Sequence, residues 1–456
     1  MRWKFSVVLF TTLGLLAAGR AFSPYADVKP ILTAQRDHLP PELRNAGQSQ
    51  WLTWAREQDK AIRARLQQGD LDSMVNLLLY GTSFTKQPRI SMEGEGIAEA
   101  SRSGVLRARV DDLVAGLRNP EDNERLIFLQ QLLRTQGIDA ANDAQQTGKF
   151  ILQNLLRVVE QRKTLAERAA SEKPEATPDS PSSLLDRSSL FRDRGVSLDT
   201  SIFPDFSIEQ TLRDLEARGL LREGQVRRVA VIGPGLDFID KTEASAYDYY
   251  PEQTLQPFAL YDSLIRLHLA KASGISMKIL DISSQVIQHV QRAREHAAKG
   301  DGYVIQLPRD VARPWPPALI GYWRSLGDQV GTATPPISPP GIFQGLETRA
   351  VRIRPDVVLA CEPIDLNIVV QRLSLPATEQ FDLMVATNIF VYYDAFEQSL
   401  ALANAGTMLK PGGLLLTNDR LPVIPGGSMR LAGITVVPYD APGVSTREAV
   451  GWYRKQ

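Results

Sequence analysis

From Val226 onward, short apolar and β-branched runs alternate with stretches of helical spacing, and this alternation constrains the fold more than any other feature of the chain. Val229–Ile232, Met277–Leu280, Val357–Cys361, Leu383–Ala386 and Leu414–Thr417 read as strands buried on both faces. Buried strands alternating with helices imply a parallel sheet covered on both sides. Ile434–Val437 and Val450–Tyr453 then finish the sheet at one edge. The expected fold is α/β: a doubly wound, Rossmann-like, mostly parallel sheet in the C-terminal half, with a separate, mostly α-helical N-terminal domain. Ligands of such sheets bind beyond the carboxyl ends of the strands, near the point where strand order reverses. Site residues are therefore expected just after each run.

At 456 residues the chain is long enough for two domains and an export segment. Arg2 and Lys4 precede an apolar run from Phe5 to Ala18, and small residues Gly19 and Ala21 follow. This pattern predicts a signal peptide over residues 1–21 and an exported, periplasmic or extracellular protein. The alternative is a membrane anchor if the segment is not cleaved, although the run is shorter than the roughly 20 residues a spanning helix needs. Residues 25–167 carry helical spacing, as at Trp51, Trp54, Ala55, Gln58 and Ile62, and form a helical domain whose role, a protein partner included, the residues leave open. Tyr80–Phe84 interrupts that spacing as an interhelical turn or, less economically, a functional loop. Residues 168–184 are a Pro/Ser-rich linker, too polar to offset the entropy of ordering. The remainder, 185–456, holds the sheet, with a core at 226–456 and an insertion at 303–345 rich in Pro, Trp and Tyr. At its start, Ser207 and Gln210 form a capping-box pattern for a helix carrying Ile208, Leu212 and Leu215.

Composition removes several function classes. Lys+Arg and Asp+Glu both total 52, so no charge excess points to nucleic acid or an anionic membrane surface. A single cysteine, Cys361, excludes an internal disulfide and a cysteine metal cluster, and four histidines argue against a His-rich metal site.

The strand ends supply the chemistry. After the first run comes Gly233-Pro234-Gly235, where the lack of a Cβ permits a sharp turn and close approach of a ligand; any tight strand-to-helix turn has the same composition. Asp281 ends the second run, where a carboxylate accepts hydrogen bonds from ribose hydroxyls or caps the next helix. Asp365 and Leu366 follow the third, suited to an adenine amino group and ring or to an ordinary loop. The fourth run leads through Asn388-Ile389-Phe390-Val391-Tyr392-Tyr393 to a helix capped by Asp394 and Glu397, then to Leu409-Lys410-Pro411-Gly412-Gly413.

Phe381-Asp382-Leu383, Asn388 to Tyr393 and Leu409 to Gly413 together resemble the class I S-adenosylmethionine-dependent methyltransferases, most closely the branch that methylates chemotaxis receptors. The resemblance spans about Val226 to Tyr453. It implies S-adenosyl-L-methionine as cofactor, held by Gly233, Gly235, Asp281, Asp365 and Leu366. It also implies Asn388 beside the methionine moiety or acceptor, and Tyr392 near the transferable methyl. The chain departs from that branch in its Gly-Pro-Gly loop, which has no acidic residue before it, in the 303–345 insertion, and in its N-terminal half. Receptor glutamates are therefore not the expected acceptor.

The expected activity is methyl transfer to an unidentified acceptor, a small molecule or a protein. Such a transfer is an in-line displacement in which alignment alone supplies as much as roughly 7–11 kcal/mol. Trp315, Tyr322 and Trp323 wall an acceptor pocket or simply pack. The competing reading is a non-catalytic binding or interaction module on the same fold, favoured by an export segment that would separate the protein from a cytosolic cofactor. A nicotinamide-dependent oxidoreductase fits less well, because the full glycine pattern is missing.

Overall fold

The computed structural model describes residues 19–456 except 37–38, 93, 172–200, 240–246, 344, 423, 425 and 440–446. The expected signal segment through residue 18 and the linker beyond Ser171 lie outside the described residues. The chain enters through β1 (Arg20–Phe22) and α1 (Tyr25–Ala34), followed by the long helix α2 (Gln48–Tyr80). Then come α3 (Gly96–Arg102), α4 (Val105–Arg118), α5 (Glu124–Thr135) and α6 (Ala144–Ser171). The C-terminal half opens with α7 (Ile202–Ala217), β2 (Arg228–Ile232), α8 (Gln256–Arg266), β3 (Ser276–Asp281) and α9 (Ser284–Ala297). The insertion contributes β4 (Tyr303–Asp310), α10 (Pro317–Ser325), β5 (Gly331–Thr334) and β6 (Leu346–Ile353). The chain then resumes with α11 (Pro355–Ala360), β7 (Cys361–Asp365), β8 (Gln371–Leu373) and β9 (Phe381–Ala386). It ends with α12 (Ala395–Met408), β10 (Leu409–Thr417), β11 (Met429–Pro438) and β12 (Arg447–Lys455).

The main sheet has seven strands among the described residues, in the order β11-β12-β10-β9-β2-β3-β7. β7, β3, β2, β9 and β10 run parallel, while β12 is antiparallel to β10 and to β11. The expected doubly wound fold is present, with the last two strands at one edge. Strand order reverses at β2, so the ends of β2, β3, β7 and β9 share one rim. The insertion forms its own antiparallel sheet, β4-β6-β5, a layer its Pro and Trp content does not advertise.

Side-chain alternation along β2 sorts the two cores. Val229 and Val231 face a cluster with α7, α8 and the insertion; Ala230 and Ile232 face α1, α12 and the first half of α2. Trp51, Trp54, Ile62 and Leu66 of α2 lie in that second cluster. Leu71 through Tyr80 of the same helix join α4, α5 and α6 in a third. The boundary between the helical region and the sheet's core thus falls inside α2. The N-terminal entry is tied down as well: β1 pairs antiparallel with β8, and the Trp51 indole N–H donates to the Ser23 carbonyl at 2.7 Å.

Two local expectations are corrected. Val357–Leu359 belongs to the short helix α11, and the strand begins at Cys361. Pro355 at the first helical position, with Asp356 in the first turn, starts a helix that an apolar run alone does not reveal. Ser207 does not cap a helix; it lies inside α7, which starts at Ile202 after Ser201. The Asp394–Glu397 capping box forms as expected at α12.

Candidate functional site

Asp281 ends β3 opposite Asp365 at the end of β7, so the two carboxylates are neighbours across the sheet. Asp281 is 5 % exposed, and one of its oxygens accepts from the Ser283 backbone N–H at 2.7 Å. Burial pushes its carboxyl up to about 7, against the pull of the Ser283 and Ile282 N–H groups. Leu366 is buried, and its N–H donates to the Asp281 carbonyl at 2.9 Å. Asp365 is half exposed and engaged from the N-terminal region: Arg63 of α2 reaches one oxygen at 2.7 Å, and Arg20 of β1 reaches the other at 2.8 Å. Arg63 also donates to the Ile282 carbonyl at 3.0 Å and to Asp59 at 3.1 Å; Asp59 accepts in turn from Asn367. A helix from the N-terminal half therefore closes over the rim that the sequence assigns to a nucleoside. The expected cleavage point after Ala21 falls within β1, and Arg20 belongs to this contact.

The glycine turn fits its expected shape. Gly233 and Gly235 have φ values of +61° and +69°, in the left-handed region that a Cβ disfavours. Above Gly233, the space a Cβ would occupy is taken by Ile389, whose Cδ1 would stand 2.2 Å away. Beyond the turn, Arg125 of α5, 2 % exposed, donates to the carbonyls of Asp237, Phe238 and Tyr250. The Asp237 carboxylate accepts from the Tyr250 hydroxyl at 2.6 Å and from Gln253 at 3.1 Å. Tyr80–Phe84 proves to be a turn with a partner: the Thr82 and Ser83 N–H groups and the Thr82 hydroxyl donate to the buried Asp248 carboxylate. The helical half thus holds the loop that follows the glycine turn from two sides.

On the other side of the switch point, Asn388 has φ +59° and is exposed just past β9. It exchanges two hydrogen bonds with Asn418, at 2.7 and 2.6 Å. Asn418 also donates to Glu448 at the start of β12. Glu448 accepts from Ser207 at 3.1 Å and from the Tyr439 hydroxyl, and burial holds its carboxyl above the ordinary range. Tyr392 lies in a short 3-10 turn, 8 % exposed and packed in the core shared with α1 and α12. The structure therefore brings Asp281, Asp365 and Leu366 together, sets Gly233, Gly235 and Asn388 on the same rim, and places Tyr392 in the core beneath it.

Sequence reasoning missed Arg63, Arg20, Glu448 and Asp237. Only Asp237, two residues past the glycines, had a local signal.

Between the glycine turn and the insertion lies a cavity of about 150 Å³ lined by Phe203, Tyr250, Gln306, Trp315 and Trp323, with Asp237 on its wall. Trp315 and Trp323 line it; Tyr322 instead packs against Phe206 with ring centroids 5.6 Å apart. A wider cleft shares Phe203, Arg313 and Trp315 with this cavity and is bordered by Glu448 and Tyr439.

No family model and no curated protein sequence matches the chain. Solved structures align with it at low similarity. TrmN from Thermus thermophilus is 11% identical over 56% of this chain and 53% of its own, with a TM-score of 0.25. The alignment thus spans about half the length of TrmN. The N-methyltransferase NodS from Bradyrhizobium japonicum WM9 is 11% identical over 56% of this chain and 99% of its own, TM-score 0.25. The mitomycin 7-O-methyltransferase MmcR is 12% identical over 89% of this chain and 97% of its own, TM-score 0.29. At such scores no residue role passes from those proteins to this one.

Proposed function

We infer that the chain binds S-adenosyl-L-methionine along the rim from Gly233 to Asp365 and transfers its methyl group to an acceptor in the neighbouring cavity. The observation that carries this reading is Asp281: a buried carboxylate at the end of the strand beside a left-handed glycine turn, with one oxygen bonded to backbone. Two ribose hydroxyls would supply donors that favour its charged form. Gly233 and Gly235 would let the methionine end approach the backbone, and Leu366 would lie under the base. The bound cofactor supplies a methyl already activated by its sulfonium, so this chain's residues chiefly align the acceptor. For a hydroxyl acceptor, Glu448 would take the proton that the oxygen releases as it accepts the methyl from the sulfonium. Asn388 orients Glu448 through Asn418. The similarity to receptor-methylating enzymes extends no further than the sheet motifs, and an export segment at residues 1–21 would put the activity outside the cytoplasm. Among the described residues no helix is long and apolar enough to cross a membrane.

Two contacts favour the second reading, a non-catalytic module: Asp365 is held by Arg20 and Arg63, and Ile389 covers Gly233. Titration of S-adenosylhomocysteine into the full chain separates the two. The enzyme reading expects binding that Asp281→Ala weakens roughly 10- to 150-fold, since hydrogen bonds to a charged group contribute about 1.5–3 kcal/mol. Wild type that does not bind favours the module. Binding that is indifferent to Asp281 moves the cofactor elsewhere.

A further inference from the structure

We propose that the cavity beside the glycine turn takes a single planar aromatic ring carrying acceptor oxygens, a carboxylate or phenolate, as the group presented for methylation. The proposal rests on the methyl-transfer reading for its purpose but on the cavity for its chemistry. A space of about 150 Å³ matches a benzene-sized occupant. Phe203, Tyr250, Trp315 and Trp323 put four aromatic rings on its walls, which favour a flat ring over an aliphatic group of the same volume.

The polar groups fix the sign of the ligand's chemistry. The two carboxylates on the wall each have donors. The Asp237 carboxylate is bonded to Tyr250 and Gln253, while Asp310 accepts from the Ala312 N–H and faces Arg313 at 3.8 Å. Gln306 is 7 % exposed, and its Oε1 accepts from the Ile337 N–H while its Nε2 makes no hydrogen bond among the described residues. Among the described residues the Trp315 indole N–H likewise makes none, and the exposed Arg313 guanidinium at the mouth pairs with Asp310 alone. A cavity whose free groups are an amide N–H, an indole N–H and a guanidinium selects oxygens that accept, and disfavours an ammonium. The shared wall of Phe203, Arg313 and Trp315 opens toward the cleft bordered by Glu448, and a carboxylate or phenolate oxygen already carries the electron pair that would bond to the methyl, so this acceptor needs no base.

The test is calorimetric titration of the full chain with benzoate, benzylammonium and cyclohexanecarboxylate, with S-adenosylhomocysteine titrated in parallel. Benzoate is expected to bind more tightly than either other probe. Arg313→Gln should weaken it about tenfold or more, with melting unchanged because the side chain is exposed, and Trp315→Ala about tenfold, with melting followed in parallel because its ring packs on Phe203. Benzylammonium binding as tightly as benzoate, or benzoate binding untouched by both variants, overturns the proposal. Binding of S-adenosylhomocysteine without benzoate also overturns it and leaves the cofactor reading in place. Benzoate binding without S-adenosylhomocysteine supports the aromatic-acid site and overturns the methyl-transfer reading instead.

Discussion

Asp281 and Glu252 are buried carboxyl groups that burial pushes up to about 7, and Asp205 and Glu397 shift in the same direction. His289 is pushed down to about 4 by burial. A carboxyl group whose folded value is raised keeps a proton that the unfolded chain has released, so its contribution to stability is lost as pH rises toward the folded value. The neutral His289 acts oppositely, costing stability as pH falls below its unfolded value, but it is one group against several. The melting temperature is therefore expected to fall between about pH 5.5 and 7.5, and the double change Glu252→Gln, Asp281→Asn should flatten that slope. A melting temperature that climbs across this interval would contradict the assignment. Gly233 tests the same rim sterically. Gly233→Ala puts a Cβ 2.2 Å from Ile389 at φ +61°, a cost of about 2–4 kcal/mol from the clash and the left-handed backbone. Chemical denaturation of a double-mutant cycle with Ile389→Ala should recover the clash and leave the backbone cost; full additivity would mean that the two residues do not meet.

At the scale of elements, the loop after β2 is organised by a helix that has no sequence signal linking it to the sheet. Arg125 joins α5 to the carbonyls of Asp237, Phe238 and Tyr250, and Phe128 meets Phe238 edge-on at 5.7 Å. Arg125→Met keeps the apolar stem but removes a charged donor from these three carbonyls and from that of Asp248, so the loop should loosen by about 3 kcal/mol or more. The Asp237 amide, bonded to the Gln253 carbonyl at 2.7 Å, should lose hydrogen-exchange protection while amides of β9 keep theirs. Unchanged protection at Asp237 would refute the clamp. The same elements show what a sequence reveals. Strand ends and the Asp394–Glu397 cap were legible because their signals lie within a few residues, which also made Asp281 and the glycine turn visible. Val357–Leu359 was misread because a short apolar run has no period to separate strand from helix. Arg63 and Arg20 escaped because they meet Asp365 across 302 and 345 residues of chain, and nothing local announces such a pairing.

At the scale of the whole molecule, α2 decides whether the sheet can exist without the N-terminal half. Composition and the Pro/Ser-rich stretch place a division near residues 168–184, yet Trp51, Trp54, Ile62 and Leu66 lie in one cluster with Ala230, Ile232, Met384 and Leu415 of the sheet. Trp54 also packs at a tilt against Phe396 of α12, ring centroids 5.5 Å apart, and Gln58 bonds Glu397. Fully burying a large apolar side chain contributes roughly 1.5–3 kcal/mol, so these four together contribute about 6–12 kcal/mol. That is comparable with the whole stability of an ordinary domain, roughly 5–15 kcal/mol. A fragment comprising residues 185–456 is therefore expected to expose one face of its sheet, bind a hydrophobic dye and melt without cooperativity. Co-expression with residues 19–171 should restore a cooperative transition, and Trp54→Ala in that partner fragment should weaken the restoration. A fragment 185–456 that melts cooperatively alone would show that the sheet supplies its own second cover and that α2 is an accessory to it. Failure of the paired fragments, when the intact chain folds, would mean that the covalent link through residues 172–184 is needed to bring the two halves together.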